Sequence, residues 1–185
     1  DGRAAVACST GHAAQMLTMY VLMNPGDNFV ASRNLYGGSI TQFSPAFKKF
    51  GWNVNFVDPA DPENFRDAID KNTKAIFLEV LANPGGIIID LEPVAAIAKD
   101  TGIPLIVDNT MATPYLCKPF EWGADLITHS MTKFLGGHGK RELKQKTKSL
   151  KAPICQKHLF REWMILVIHQ ITMDTCLLPF LLTSN

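Results

Sequence analysis

Clustered metal-binding residues are missing from this chain of 185 residues: it has no C-x-x-C pair and no H-E-x-x-H, and its four cysteines, Cys8, Cys117, Cys155 and Cys176, are widely scattered. Neither a disulfide scaffold nor a zinc site is expected, and a reducing, cytoplasmic setting is. No apolar run reaches the roughly 18 to 20 residues that cross a bilayer, and no signal peptide is visible, so no membrane partner is expected. An excess of one charge is absent too, the net value being +1, and nothing calls for a nucleic-acid partner. No G-x-G-x-x-G follows a strand. A P-loop fails at Phe134, where its first glycine would stand, and at Arg141, where Ser or Thr is required. A nucleotide-binding domain therefore ranks last among the readings.

Glycine is missing from one end only. All 13 glycines fall in residues 1–139, which hold 10 Lys+Arg against 14 Asp+Glu; residues 140–185 hold no glycine and 8 Lys+Arg against 3 Asp+Glu. The chain is thus read as a core, 1–139, and an atypical basic and apolar tail, 140–185, of unspecified structure. The runs Trp163–Ile168 and Leu177–Leu182 lack polar interleaving, which favours a non-homologous end over a basic helical appendage. The basic stretch Lys140–Lys151 reads as a solvated face.

What is present in the core is an alternation of short apolar runs and helical patterns. Helices are expected at 11–23 with Thr10 as cap, 39–50, 62–70 and 91–101; strands at 28–32, 53–57, 73–80, 103–108 and 125–129. This order predicts an α/β fold, a mostly parallel, doubly wound sheet with helices on both faces. Ligands of such sheets sit beyond the carboxyl ends of the strands. Glu79, Asp108 and the pair His129-Ser130 stand at such ends, and Gly11 opens a helix whose first amides are free for an anion.

Lys133 follows shortly after, in Ser130-Met131-Thr132-Lys133. A lysine amine can form a Schiff base with an aldehyde cofactor, and a buried aspartate such as Asp108 can hold a pyridine nitrogen protonated, so the pair points to pyridoxal 5'-phosphate. Ser130 and Thr132 add hydroxyls suited to its phosphate. Each residue also has a plainer reading: a lysine after a strand is ordinarily a solvated charge, an aspartate at a strand end a cap or turn former. Tyr36, before Gly37-Gly38, is either a turn aromatic or a ring stacked on the cofactor. Asn83, before Pro84, is either a turn residue or an amide for the cofactor's phenolate oxygen or a substrate carboxylate. His129 and His138 read as packed rather than metal-bound.

These segments, Ser9–Gln15, Leu35–Ser39, Glu79–Pro84, Val107–Thr110 and Ser130–Phe134 with Gly136-Gly137-His138-Gly139, together resemble the Cys/Met-metabolism family of pyridoxal phosphate enzymes over nearly all of residues 4–139. The features Gly11–Gln15, Tyr36–Ile40 leading to Gln42-Phe43, and Ala112–Leu116 are most similar to its branch that acts on O-acetylhomoserine. The resemblance implies a truncated large domain of fold type I, the aspartate-aminotransferase-like class. It implies that Lys133 carries the cofactor and moves protons, which demands an apolar, partly desolvated site. It further implies Asp108 at the ring nitrogen, Gly11, His12, Ser130 and Thr132 at the phosphate, Tyr36 on the ring as a stacking and proton-transfer group, and Thr110 near the cofactor. Asn83 and Glu79 would lie by the small amino-acid substrate.

The implied reaction is γ-replacement of O-acetylhomoserine by sulfide or a thiol, giving homocysteine or a thioether; cystathionine γ-synthase and γ-lyase activities remain open. Family members bring a tyrosine and an arginine from a neighbouring subunit to the phosphate and a C-terminal arginine to the substrate carboxylate, and are homo-oligomers. No counterparts of these three residues are found here. The chain alone is therefore expected to be catalytically incompetent, and an inactive remnant or interaction protein is the remaining alternative.

Overall fold

A computed structural model of the chain describes residues 2–136 and 164–168. Seven strands form one sheet: β1 (Ala4–Cys8), β2 (Asn28–Ser32), β3 (Asn53–Val57), β4 (Thr73–Glu79), β5 (Leu105–Asp108), β6 (Leu126–Ser130) and β7 (Met164–Ile168). Their order is β1-β7-β6-β5-β4-β2-β3. From β6 to β3 all pairings are parallel, while β7 runs antiparallel to both β1 and β6. Central strands β2, β4 and β5 are buried nearly throughout, as expected of parallel strands covered on both faces.

Alternate side chains feed two cores. Phe29, Ala31, Phe77, Ile106 and Leu126 pack with Met19 of helix α1 (Gly11–Leu22) and with Phe43 and Phe47. Val30, Ile76, Leu78, Leu105, Val107 and Ile127 pack on the other face with Phe65 and with Val94 and Ile97 of a second helix. Phe43 and Phe47 belong to a helical run that the sequence places at 39–50. It consists of α2 (Gly37–Thr41), a π-helical turn (Gln42–Ala46) and a 3-10 turn (Phe47–Phe50). Pro45 sits inside it, and a proline ring in a helix interior removes an N–H and crowds the preceding turn, which explains why the winding changes there.

On the opposite face, α3 (Glu63–Asp67) is shorter than the expected 62–70. Asp70 leaves the helix because its carboxylate accepts from the Asn28 side chain and the Asn72 amide. Helix α4 (Leu91–Thr101) is capped by Asp90, which accepts from the Glu92 amide, and ends on Gly102 in the left-handed region at φ 69. The Ile103 amide then closes on Ala98 O, so the following strand starts at Leu105 rather than at Ile103.

Strand β1 has no counterpart in the sequence reading. Strand β7, drawn from the 140–185 region, stands between β1 and β6. Gly137, His138, Gly139 and the basic run 140–151 lie outside the described residues. No helix among the described residues is long and apolar enough to cross a membrane.

Candidate active site

Three strands end side by side. Glu79 of β4 pairs in register with Asp108 of β5, and Asp108 pairs with Thr128 of β6. Strand alternation puts these three on the face that carries α1, since Phe77, Ile106 and Leu126, two residues earlier on each strand, pack there. The result is a polar row at the carboxyl edge of an otherwise apolar sheet.

Asp108 is only 7% exposed and both oxygens accept hydrogen bonds: Oδ1 from the Thr110 amide at 3.0 Å and Oδ2 from the Thr128 hydroxyl at 2.8 Å. Each oxygen keeps lone-pair capacity for a further donor from the cleft. Thr110 in turn accepts from the Ser130 amide through Oγ1 at 2.8 Å, which fixes the chain where β6 turns out of the sheet.

Glu79 is 5% exposed. Its Oε1 accepts from the Tyr36 amide at 2.8 Å and its Oε2 from the Asn83 amide at 3.1 Å. Burial pushes the Glu79 carboxyl up to about 7; the two amides oppose that rise and the neighbouring Asp108 charge adds to it. His129, facing away from this row by strand alternation, is also buried, and burial pushes its imidazole below the ordinary value while Asp108 and a backbone contact to Asn109 oppose the shift.

The opposite wall is the start of α1. Thr10 caps it by accepting from the Ala13 amide at 3.0 Å, so the amides of Gly11 and His12 are left to face an anion. The His12 carbonyl is held by the Gln42 side chain at 2.8 Å, and its ring stacks on Tyr36 with centroids 6.2 Å apart. Gly38 permits that arrangement: a Cβ there would stand 2.5 Å from Tyr36 Cε1 and 2.8 Å from His12 Nε2.

Gly11, His12, Tyr36, Glu79, Asn83, Asp108, Thr110, Ser130 and Lys133 thus line a single cleft. Thr132, expected at the phosphate, does not line it; it follows Ser130 in the turn where the Lys133 amide closes on Ser130 O. Lys133, which family likeness would place in an apolar, partly desolvated site, lies in the turn past the end of β6 and is exposed there.

Sequence reasoning gave no site role to Thr128, Gln15 and Ser39. Thr128 is signalled by its place two residues before Ser130 on the same strand. Gln15 and Ser39 line the cleft, both nearly fully buried, with Gln15 Nε2 donating to Ser39 Oγ at 2.9 Å. Their signal is that Gln15 lies one helical turn after Gly11, on the same side of α1.

These residues suit pyridoxal phosphate: free helix-terminal amides for a phosphate, a buried carboxylate with spare acceptor capacity for a ring nitrogen, a flanking aromatic, and an amine on the rim. A crystal structure from Campylobacter jejuni bearing N'-pyridoxyl-lysine-5'-monophosphate superposes on this chain with a TM-score of 0.78 at 34% identity, covering 91% of this chain and 37% of that one. The fold is that of a fold type I pyridoxal phosphate enzyme. A family model described as Cys/Met metabolism PLP-dependent enzyme matches residues 1–141, and the chain belongs to that family.

Among curated relatives, the O-acetyl-L-homoserine sulfhydrylase of Leptospira meyeri is 46% identical over 138 residues, 75% of this chain and 31% of the relative. The homocysteine/cysteine synthase of Saccharomyces cerevisiae is 48% identical over 139 residues, with the same coverage. The chain spans about a third of the length of these relatives.

Proposed function

We propose that this chain supplies the cofactor-binding wall of an enzyme that replaces the γ-acetoxy group of O-acetylhomoserine by sulfide or a small thiol. The observation that carries the reading is that Lys133, Asp108 and the start of α1, far apart in sequence, line one cleft at the carboxyl edge of the sheet. Bound pyridoxal phosphate supplies an aldehyde that takes up an amine and a ring that withdraws electrons from it.

The chain's residues do the rest. Gly11 and His12 amides and the Ser130 hydroxyl hold the phosphate, with the α1 dipole adding to the attraction. Asp108 holds the charged ring nitrogen, and Thr110 and Thr128 keep its carboxylate aimed. The Tyr36 ring covers one side of the cofactor and stands ready as a proton-transfer group, while the Asn83 carboxamide orients the phenolate oxygen or the substrate carboxylate. Lys133 Nζ anchors the cofactor and takes and returns the protons of the substrate carbons. In the net reaction the γ C–O bond breaks, acetate leaves with the electron pair, a C–S bond forms, and the thiol proton balances the acetate.

Three helpers expected from family likeness, a tyrosine and two arginines, are not among the cleft residues described, so the 185-residue chain binds cofactor without efficient turnover. Its setting in this reading is the cytoplasm, in keeping with the unpaired thiols of Cys8 and Cys117, and the complete enzyme is a homo-oligomer.

The test is a spectrophotometric titration of the purified chain with pyridoxal phosphate. The visible band of a lysine-bound cofactor should appear and be absent in Lys133→Ala, with negligible conversion of O-acetylhomoserine and sulfide. A chain that stays colourless at millimolar cofactor would defeat the binding reading, and brisk turnover would defeat the claim of incompetence.

A further inference from the structure

Family likeness puts Glu79 beside the substrate, but its hydrogen bonds point elsewhere. Both carboxylate oxygens are committed to main-chain amides, Tyr36 on one side and Asn83 on the other, 43 and 4 residues away in sequence. We infer that Glu79 is a positioning residue, a buried staple that joins the Tyr36 and Asn83 segments to the end of β4 and thereby sets the stacking ring and the carboxamide over the cofactor site. The inference rests on the cofactor site proposed above.

The two segments it joins have few other holds on the cleft side. Tyr36 precedes the short helix α2 without a side-chain cap, is 48% exposed, and stacks its ring on His12. Its carbonyl accepts from Ser39 and Ile40, which ties it to α2 but not to the sheet. The Glu79 bond is what ties Tyr36 to β4. Asn83 lies in a turn whose ends are held by Ala82 and Gly86, and its own amide is held by Glu79.

The choice of glutamate follows from reach. Strand register places Glu79 directly beside Asp108 on the same face, and Asp108 is engaged by Thr110 and Thr128 on its own side. A side chain one methylene longer than aspartate is needed to extend past the strand end and meet two amides on separate segments. Bonds from a buried carboxylate to N–H groups are charge-assisted, so this staple is stronger than an ordinary turn hydrogen bond. Glutamine would offer one acceptor and one NH2, and the NH2 would confront a second donor.

The experiment uses the full 185-residue chain without cofactor, then with it. Amide proton shifts of Tyr36 and Asn83, followed by NMR from pH 5 to 9, should move together with a single midpoint near 7, because both report one carboxylate. The other titratable groups on the cleft are Asp108, His12, Lys133 and the Tyr36 hydroxyl, and the joint titration should persist in a His12→Gln chain.

In Glu79→Gln, exchange at these two amides should accelerate at least tenfold while amides of β4 and β5 keep their protection, and pyridoxal phosphate should bind roughly ten- to a hundredfold more weakly. Unmoved shifts of both amides across the pH range, or unchanged exchange in a folded Glu79→Gln chain, overturn the inference. The wild-type titration needs no variant, so it decides even where Glu79→Gln fails to fold. Wild-type chain that takes up no cofactor defeats the proposed function alone, since the ligand-free shifts still report on the staple.

Discussion

Glu79 also couples the fold to pH. Its carboxyl rises from 4.5 when solvated to about 7 in the folded chain, so the folded state binds the extra proton between those values. Stability from this group is therefore fully present below 4.5 and is lost as pH climbs through about 7. Buried His129 acts the other way: burial favours its neutral form, and that contribution is lost as pH falls below 6.5 and the unfolded ring takes a proton. The two slopes oppose, and wild type alone hides both. The difference in unfolding free energy between wild type and Glu79→Gln isolates the carboxyl: it should shift against wild type by on the order of 2 to 3 kcal/mol from pH 5 to pH 8. Urea denaturation at both values measures it, and a pH-independent difference would refute the assignment. At this scale the sequence was informative because strand ends and chemistry coincide. Asp108, Glu79 and Ser130 could be read from apolar runs that stop on a polar residue. Thr128 and Gln15 carry only a positional signal, two residues before Ser130 and one helical turn after Gly11, and their roles become legible only with their partners Asp108 and Ser39 in view. The exposure of Lys133 is not legible for a related reason: burial depends on what covers a turn, and a local pattern holds no record of that.

Helices and strands were legible where one face pattern and one cap agree. Helix α1 begins after Thr10 and α4 after Asp90, as side-chain caps dictate, and β2 and β3 have the boundaries their apolar runs suggest. The helix read at 39–50 is helical but not of a single winding, because Pro45 forbids a continuous ladder. Strand β1, Ala-Ala-Val-Ala-Cys, is not legible in the sequence because its side chains are small and none is buried, so no apolar face marks it. Some helical segments end on glycines in the left-handed region, which other residues adopt only with strain, and two of them separate conformation from space. Gly102 ends α4 at φ 69 with open room around a would-be Cβ, whereas Gly123, at φ 93 after the turn Pro119–Trp122, would place its Cβ 2.9 Å from the Ala95 Cβ. Gly102→Ala should therefore cost about 1 kcal/mol from backbone strain alone. Gly123→Ala should cost roughly 2 to 3 kcal/mol, because the turn must also back away from α4. Thermal unfolding of the two variants side by side checks the ranking, and equal losses would show that the contact with Ala95 relaxes freely.

For the molecule as a whole, the sheet draws on two distant parts of the chain. The family match ends at residue 141, yet β7, at Met164–Ile168, is hydrogen-bonded between β6 and β1. An apolar run without polar interleaving, which in sequence set this region apart from the core, supplies a strand paired on both sides. Sequence could not place it, because antiparallel pairing across more than thirty residues leaves no local mark. The consequence falls on β1: among the described residues its one neighbour in the sheet is β7, and through that strand it reaches β6. A chain ending at residue 141 should then keep the parallel core from β6 to β3, with its two packed faces, but lose the β1 ladder and open the edge of β6. Amide exchange of Ala4–Cys8 should rise to near the rate of an unstructured segment, while Ile76, Leu78 and Val107 stay protected. Since β1 leads into Thr10 and the start of α1, cofactor uptake should fall along with it, and the bared β6 edge should promote self-association visible in sedimentation. Retained protection of β1 in the shortened chain would show that α1, not β7, holds the first strand in place.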